Sequence, residues 1–391
     1  MSRLNLSFDE MKLGDVMTFQ RGFDITKNEQ AEGDIPIVSS SGISSFHNQW
    51  KTKGPGVIIG RKGTLGTVHY LRRNFWPHDT TLWVKDFKGN DCRFIYYFLQ
   101  TLYLENFDTG SSNPTLNRNH VHKIKVLFPR IIDIQKKIAY TLSTYDDLIE
   151  NNRRRIMLLE KMAEEIYREW FVRMRFPGHD KVKFVKGVPE DWQPSCLGSV
   201  IKFTMGQSPR SEFYNEVGDG LPFHQGVGTY GERFPRTVTY CSEDGRRAHK
   251  GDILFSVRAP VGRLNIADQE MIIGRGLAAL RHKKGHNHYL YCLLKTAFVN
   301  EDIIGNGSIF NSVGKDELAK FPIFEPEASL IERFDAIATK IDVQIVTLLQ
   351  ATRCLKSTRD LLLPRLISGK LSVENLDIQF PPSMQEVAHE V

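Results

Sequence analysis

Two kinds of hydrophobic pattern alternate along this chain. From Leu6 to about Arg130, short apolar runs such as Val57-Ile58-Ile59 and Thr80-Thr81-Leu82-Trp83-Val84 alternate with Gly, Pro, Ser and Asn clusters. That pattern predicts a β-rich domain with long loops. One helix is expected inside it, over Arg93 to Leu104, from the spacing of Phe94, Tyr97, Phe98 and Leu102. Beyond Pro129 the period changes. Ile138, Leu142, Tyr145, Ile149, Asn152, Ile156, Leu159, Ala163, Ile166 and Trp170 fall at alternating spacings of four and three with no Pro or Gly between them. This is a heptad seam, and it predicts one helix from Ile134 to Trp170, roughly 55 Å long at 1.5 Å per residue. Ile341, Ile345, Leu348, Thr352, Leu355, Arg359 and Leu362 repeat the alternation, and Pro364 is expected to end it. Two seams this apolar on one face most simply bury each other, running antiparallel because the intervening domain returns the chain. The alternative is that each helix packs on its own domain. Asn152, polar on the first seam, either fixes register or sits at a frayed or exposed point.

The β-rich text occurs twice. Leu13-Gly14-Asp15-Val16, Gly33-Asp34-Ile35-Pro36 and Arg61-Lys62-Gly63-Thr64-Leu65-Gly66 return as Leu197-Gly198-Ser199-Val200, Gly220-Leu221-Pro222-Phe223 and Val257-Arg258-Ala259-Pro260-Val261-Gly262. Gly110-Ser111-Ser112 and Val126-Leu127-Phe128-Pro129 return as Gly307-Ser308-Ile309 and Ile323-Phe324-Glu325-Pro326, at a constant shift of 197 positions. A second helix over Asn287 to Phe298 corresponds to the one at Arg93. Repeats this long are duplicated domains, not solenoid units of about 20 to 50 residues. The expected fold class is α+β: two β-rich domains, each with a short helix, joined by two long helices in a pseudo-two-fold repeat. The expected boundaries are 1–132, 133–174 (central long helix), 175–326, 327–372 (distal long helix) and 373–391 (flexible tail). Arg175-Phe176-Pro177-Gly178-His179-Asp180 is the turn-rich linker into the second domain.

Composition narrows the function only a little. The chain has 391 residues, 41% hydrophobic and 25% charged, which is ordinary for globular domains. A net charge of +6 permits a polyanionic partner without demanding one. There is no run of roughly 18 apolar residues and no apolar leader, so no membrane association and a cytoplasmic location are expected. Cys92, Cys196, Cys241, Cys292 and Cys354 are scattered, which argues against disulfides and zinc and favours small buried side chains.

Catalytic signatures fail: the chain has no phosphate loop, no His-Glu-x-x-His and no Gly-x-Ser-x-Gly. Gly226-Val227-Gly228-Thr229-Tyr230-Gly231 fits Gly-x-Gly-x-x-Gly, but Pro235 disfavours the helix a dinucleotide site needs. The pairs His120/His122 and His286/His288 have no evident third ligand, so no metal site is expected. What both copies carry is basic and amide side chains in loops. The candidates are Arg61, Lys62, Arg72, Arg73, His78, Asn113, Asn117, Arg118 and His120 in the first copy, with Asn119 beside them. In the second they are Arg233, Arg236, Arg246, Arg258, Arg275, Asn306, Asn311 and Lys315, with Arg247 alongside. Arg and Asn read guanine and adenine edges, and Lys with backbone amides suits phosphates. Any one of these could be a solvated surface charge. The paired pattern, with Lys62 and Arg258 in equivalent places, carries the argument.

At these residues the chain resembles the specificity (S) subunit of type I restriction-modification systems. The resemblance rests on the Leu-Gly-Asp-Val opening, Val57 to Gly66, Pro77-His78-Asp79-Thr80-Thr81, the Gly-Ser loops, and the ending Leu361 to Leu371. It implies two target recognition domains on an antiparallel coiled coil, each domain reading half of a bipartite double-stranded DNA target across a spacer. It also implies a non-catalytic chain that binds no cofactor. Methyltransferase (M) and motor-nuclease (R) subunits would be its partners, using S-adenosylmethionine, Mg²⁺ and ATP, with methylation at adenine N6. The second copy departs from the motif: nothing resembling Pro77-His78-Asp79-Thr80-Thr81 follows Arg258 cleanly. The rival readings are a coiled-coil protein-interaction scaffold whose modules do not bind DNA and, less favoured, a self-sufficient nuclease or methyltransferase.

Overall fold

The computed structural model describes residues 8–107, 115–298 and 312–380. The chain forms two compact units, Met1–Asn152 with Gln350–Val391, and Arg153–Leu349. In the first, strands Thr18–Arg21, Thr81–Asp86, Gly56–Gly60 and Val68–Leu71 lie side by side in that order as an antiparallel sheet. Gly56–Gly60 is buried at every position, which is why its sequence is an unbroken apolar run and not an alternating one. A smaller sheet sets Ile35–Ser39 antiparallel to Gly42–His47 and parallel to Trp76–Pro77. The short helix runs Cys92–Gln100. Asp91 caps it, accepting from the Phe94 N–H at 2.7 Å. It ends short of the expected Leu104 because the chain turns at Tyr103, a left-handed residue at φ +47°. Its apolar face meets Phe128, with ring centroids at 5.6 Å from Phe94 and 5.0 Å from Phe98.

The second unit repeats the plan. Ile201–Met205, Leu277–His282, Ile253–Ser256 and Leu264–Ile266 form the four-stranded antiparallel sheet. Leu221–His224 runs parallel to Met271–Ile273 in the companion sheet, as Ile35–Ser39 does to Trp76–Pro77. The helix falls at Asn287–Phe298, as expected.

The first long helix is Ile132–Tyr167, continued by a wide π turn over Arg168–Val172, and the second is Ala328–Ile367. Within the first unit, Ile134, Ile138 and Leu142 share one core with Leu366 and Ile367. Arg359 donates to Asp146 at 2.5 Å, and the Lys137 ammonium donates to the Glu374 carbonyl at 3.0 Å. Within the second unit, Ile156 clusters with Ile341, Ile345, Leu348 and Leu349, and the Phe334 ring meets Tyr167 and Trp170 at 5.8 and 6.1 Å.

Three expectations change. Pro364 does not break the second helix, which runs on to Ile367. The proline sits in the last turn, where its missing N–H costs one hydrogen bond, and the Ser368 N–H still reaches the Pro364 carbonyl at 3.1 Å. Chain past 372 is tied down, since Val373 is 2% exposed and the Phe380 ring meets Tyr140 at 5.8 Å; residues 381–391 lie outside the described residues. Cys241 and Cys292 are buried, but Cys196 and Cys354 are exposed.

Candidate nucleic-acid interface

The two units place their basic loops with the same backbone hydrogen bonds. The Arg61 N–H donates to Thr80 O at 2.8 Å, and its counterpart Val257 donates to Gly276 O at 2.9 Å. Leu116 donates to Arg61 O at 3.0 Å, as Val313 does to Val257 O at 2.9 Å. Gly66 closes the turn onto Gly60 O at 3.0 Å, as Gly262 does onto Ser256 O at 3.0 Å, both glycines at positive φ (+73° and +84°). Lys62 therefore bridges Thr115, and Arg258 bridges Ser312.

This matching locates an element that side-chain reading missed. His78 donates to Val38 O at 2.9 Å and Gly274 to His224 O at 2.9 Å, while Phe23 donates to Pro77 O at 2.8 Å and Gln207 to Ile273 O at 3.0 Å. The counterpart of Pro77-His78-Asp79-Thr80-Thr81 is thus Ile273-Gly274-Arg275-Gly276-Leu277, which shares the backbone path and none of the side chains. The shift is 196 positions, so the repeat spacing alone was the available signal.

Five candidates, Arg61, Lys62, His78, Arg258 and Arg275, lie in these loops, and others lie on neighbouring segments. In the first unit Arg61 and Lys62 are half-buried, and Arg61 Nη1 donates to Asp79 O at 3.4 Å. Burial, then the neighbouring Arg21 charge, lowers the Arg61 pKa against the pull of Asp79. His78 lies 3.2 Å from the Asp79 carboxylate. Asn117 caps the helical turn Arg118–Val121 by accepting from Asn119 N–H at 2.9 Å, and Arg118, Asn119 and His120 are exposed on it. In the second unit the equivalent turn, Lys315–Ala319, exposes Lys315, and Arg258, Arg275, Arg236 and Arg246 are all exposed.

The others lie elsewhere. Arg72 reaches the first long helix, pairing with Asp147 at 2.5 Å, while Arg73 pairs loosely with Asp34 at 3.8 Å. Arg247 is held by Asp244 and Glu270. Arg233 is a correction: it is 7% exposed and paired with Asp342 and Glu160 on the two long helices, so its guanidinium is spent inside the unit and is not available to a groove. Asn113, Asn306, Asn311 and both Gly-Ser loops lie outside the described residues.

One residue not singled out from sequence is central. Arg21, at the end of its strand, donates to Asp79 at 2.8 Å. Burial alone would raise the Asp79 carboxyl, but the Arg21 hydrogen bond and the His78, Arg21 and Lys62 charges outweigh it and hold the group below its usual range. Asp24, His78 and Asp79 bring potential ligand atoms within 4.8 Å of one another, the single such group among the described residues. Asp79 there is already engaged by Arg21. The Gly226 segment is one tight turn over Val227–Thr229, pinned by a 2.9 Å contact between the His224 ring and the Thr229 hydroxyl, and no helix opens from it. His122 accepts from the Phe19 N–H at 2.9 Å and stacks on the Phe19 ring.

Residues 5–161 and 189–350 each match the type I restriction modification DNA specificity domain. The chain belongs to that family. Among its relatives in Methanocaldococcus jannaschii, the MjaX type I restriction enzyme specificity subunit is 32% identical over 269 residues, 66% of this chain and 62% of that one. The MjaIX specificity subunit is 26% identical over 387 residues, 88% of each chain. The crystal structure of the type I S subunit from M. genitalium shares the fold at a TM-score of 0.64 and 18% identity, covering 94% of this chain and 98% of that one. The chain is accordingly a specificity subunit, concerned with DNA target recognition and not with catalysis. Among the described residues no helix is long and apolar enough to cross a membrane.

Proposed function

We propose that each unit reads one half of a bipartite double-stranded DNA target, and that the long helices form an antiparallel coiled coil that sets the spacer between the halves. The observation that carries this is the matched pair of basic loops, Arg61-Lys62 beside Arg118 and Arg258 beside Lys315, built on the same hydrogen bonds in two domains of one chain. The spacer role is supported by the contacts between the two long helices inside each unit, Asp146 with Arg359 in one and Phe334 with Trp170 in the other. Domain limits near 1–132, 175–326 and the two helices between and after them fit this reading. The proposed contact set is Arg61, Lys62, His78, Asn117, Arg118 and His120 in the first unit, with Asn113, which lies outside the described residues. In the second it is Arg236, Arg246, Arg258, Arg275 and Lys315, with Asn306 and Asn311. Arg72 and Arg73 sit at the margin.

The helices also expose apolar side chains, Met157 and Leu158 at 61% each and Leu361 at 67%. These suit docking of methyltransferase subunits, which would bring S-adenosylmethionine chemistry to an adenine, with motor-nuclease subunits using Mg²⁺ and ATP. The target adenine must leave the base stack to be methylated, so duplex distortion belongs to the full complex.

Inserting one heptad into both helices, after Asn152 and after Leu349, tests the spacer. Seven residues add about 10 Å, or about three base pairs at 3.4 Å each. Methylome sequencing of cells carrying the variant should show the same half-sites with a longer gap. An unchanged gap refutes the spacer role, and loss of both half-sites with DNA binding intact refutes the assignment of the modules.

A further inference from the structure

The arrangement around Asp79 goes beyond a basic patch. Arg21 is 54% exposed, yet its guanidinium is tied at 2.8 Å to a carboxylate only 18% exposed. Asp79 is held in turn from behind by His78 at 3.2 Å. Arg61, touching the Asp79 carbonyl, crowds the same point with a second guanidinium. A phosphate anchor needs charge and tolerates a flexible side chain, whereas here the charge of Arg21 is largely neutralised and its orientation is fixed. What remains is a rigid fork of N–H donors on a solvent-facing edge, already held in place before any ligand arrives.

Resting on the reading of the modules as DNA-binding, we propose that Arg21 is a specificity-determining residue of the first unit that reads a guanine, with Asp79 as its positioning residue. Guanine offers two acceptors in the major groove, O6 and N7, that match two parallel donors. Adenine presents an amino donor in place of O6, which meets the guanidinium donor to donor. The second unit lacks this device. Its residue at the Asp79 position is Arg275, an exposed arginine with no ion pair among the described residues, and the position of Arg21 is taken by Met205. The two modules therefore present opposite charges at one backbone position, which fits half-sites of different sequence.

The test uses the full chain assembled with its methyltransferase partners. The probes are duplexes carrying the recognised target, with each position varied in turn and with 7-deazaguanine in place of each guanine. Arg21→Ala should lower selectivity at one guanine of one half-site by about ten- to a hundredfold and leave every other position unchanged. Arg21→Lys keeps the charge and should not restore the selectivity. Asp79→Asn should relax the same position by a smaller factor. At that guanine, 7-deazaguanine should cost the wild type about tenfold and the Arg21→Ala variant nothing further, a coupling that a merely structural role does not produce. Uniform loss across all positions, or additive losses from the base analogue and the mutation, overturns the proposal. A bipartite wild type indifferent to Arg21→Ala overturns this assignment alone. A wild type with no bipartite preference removes the reading of the modules and this assignment with it.

Discussion

Asp146 and Asp342 stand 196 positions apart, in matching places on the two long helices, and are neutralised in different ways. Asp146 takes Arg359 from the other long helix and, at 2.5 Å, the hydroxyl of Tyr97 from the recognition module. Asp342 takes Arg233, an arginine from the module loop, which also reaches Glu160 on the other helix. Both arrangements tie a module to both helices, but in the first the cation comes from the helix and in the second from the loop. What duplication has kept is the need for a compensated carboxylate in a half-buried seam. The side chain that meets the need has changed, and in the second unit it has withdrawn an arginine from the basic surface.

The largest expected difference between the units is their response to acid. Burial pushes His224 down to about 4, and burial together with the His286 charge pushes His282 down to about 4; both lie in the second unit. Their folded pKa values lie below the unfolded value, so the stability from keeping them neutral is complete above about pH 6.5 and is lost as pH falls from there toward 4. Together the two losses are on the order of 5 kcal/mol by pH 4.5. Amide exchange measured from pH 7 to 4.5 should show the two sheets of the second unit, at Leu221–His224 and Leu277–His282, opening first. Earlier loss of protection in the first unit's sheet breaks the contrast.

Removing Arg233 should come next. Arg233→Ala removes the cation that Asp342 and Glu160 share in a half-buried site, leaving only the more distant charge of Lys295 beside Glu160, and should cost about 3 kcal/mol in urea denaturation, whereas Arg359→Ala should cost about 1.5 kcal/mol because Tyr97 still serves Asp146. Equal costs would show that the two seams are energetically interchangeable. The turn glycines give a smaller contrast. A Cβ on Gly66 would lie 2.4 Å from the Glu105 backbone nitrogen, but on Gly262 its closest approach is 3.1 Å, to Phe298. Both substitutions bear the left-handed strain, and Gly66→Ala should exceed Gly262→Ala by about 2 kcal/mol in thermal melting. Smallest, Lys62→Ala and Arg258→Ala should each weaken binding at one half-site by about tenfold. Uniform weakening over all sequences, with a shallower salt dependence, would instead assign those side chains to phosphates.

The regular parts of the fold were legible because they repeat locally. The heptad seam located the first long helix, and correspondence with the helix at Arg93 located the short helix at Asn287. The second long helix begins at Ala328, before the seam traced from Ile341: Ile331, Phe334 and Ala338 continue the same alternation of three and four upstream of Ile341, and they are buried in the module core. The interface was legible where side chains repeat, at Lys62 and Arg258, and illegible where only the backbone does, as in the loop centred on Arg275. Arg233 could not be separated from surface arginines, since its partners are 73 and 109 residues away. Arg21 was hidden for the same reason, with Asp79 lying 58 residues on.

The first unit draws on both ends of the chain: Leu366, Ile367 and Val373 fill a core begun by Leu13 and Val16, whereas the second is the single stretch Arg153–Leu349. During synthesis, with chain emerging at about 5 to 20 residues per second, the later-encoded domain can close before the earlier one. The amino-terminal module must wait, with its apolar floor uncovered, for the last helical turns to leave the ribosome. Truncation at the carboxyl end should therefore injure the opposite end of the polypeptide first.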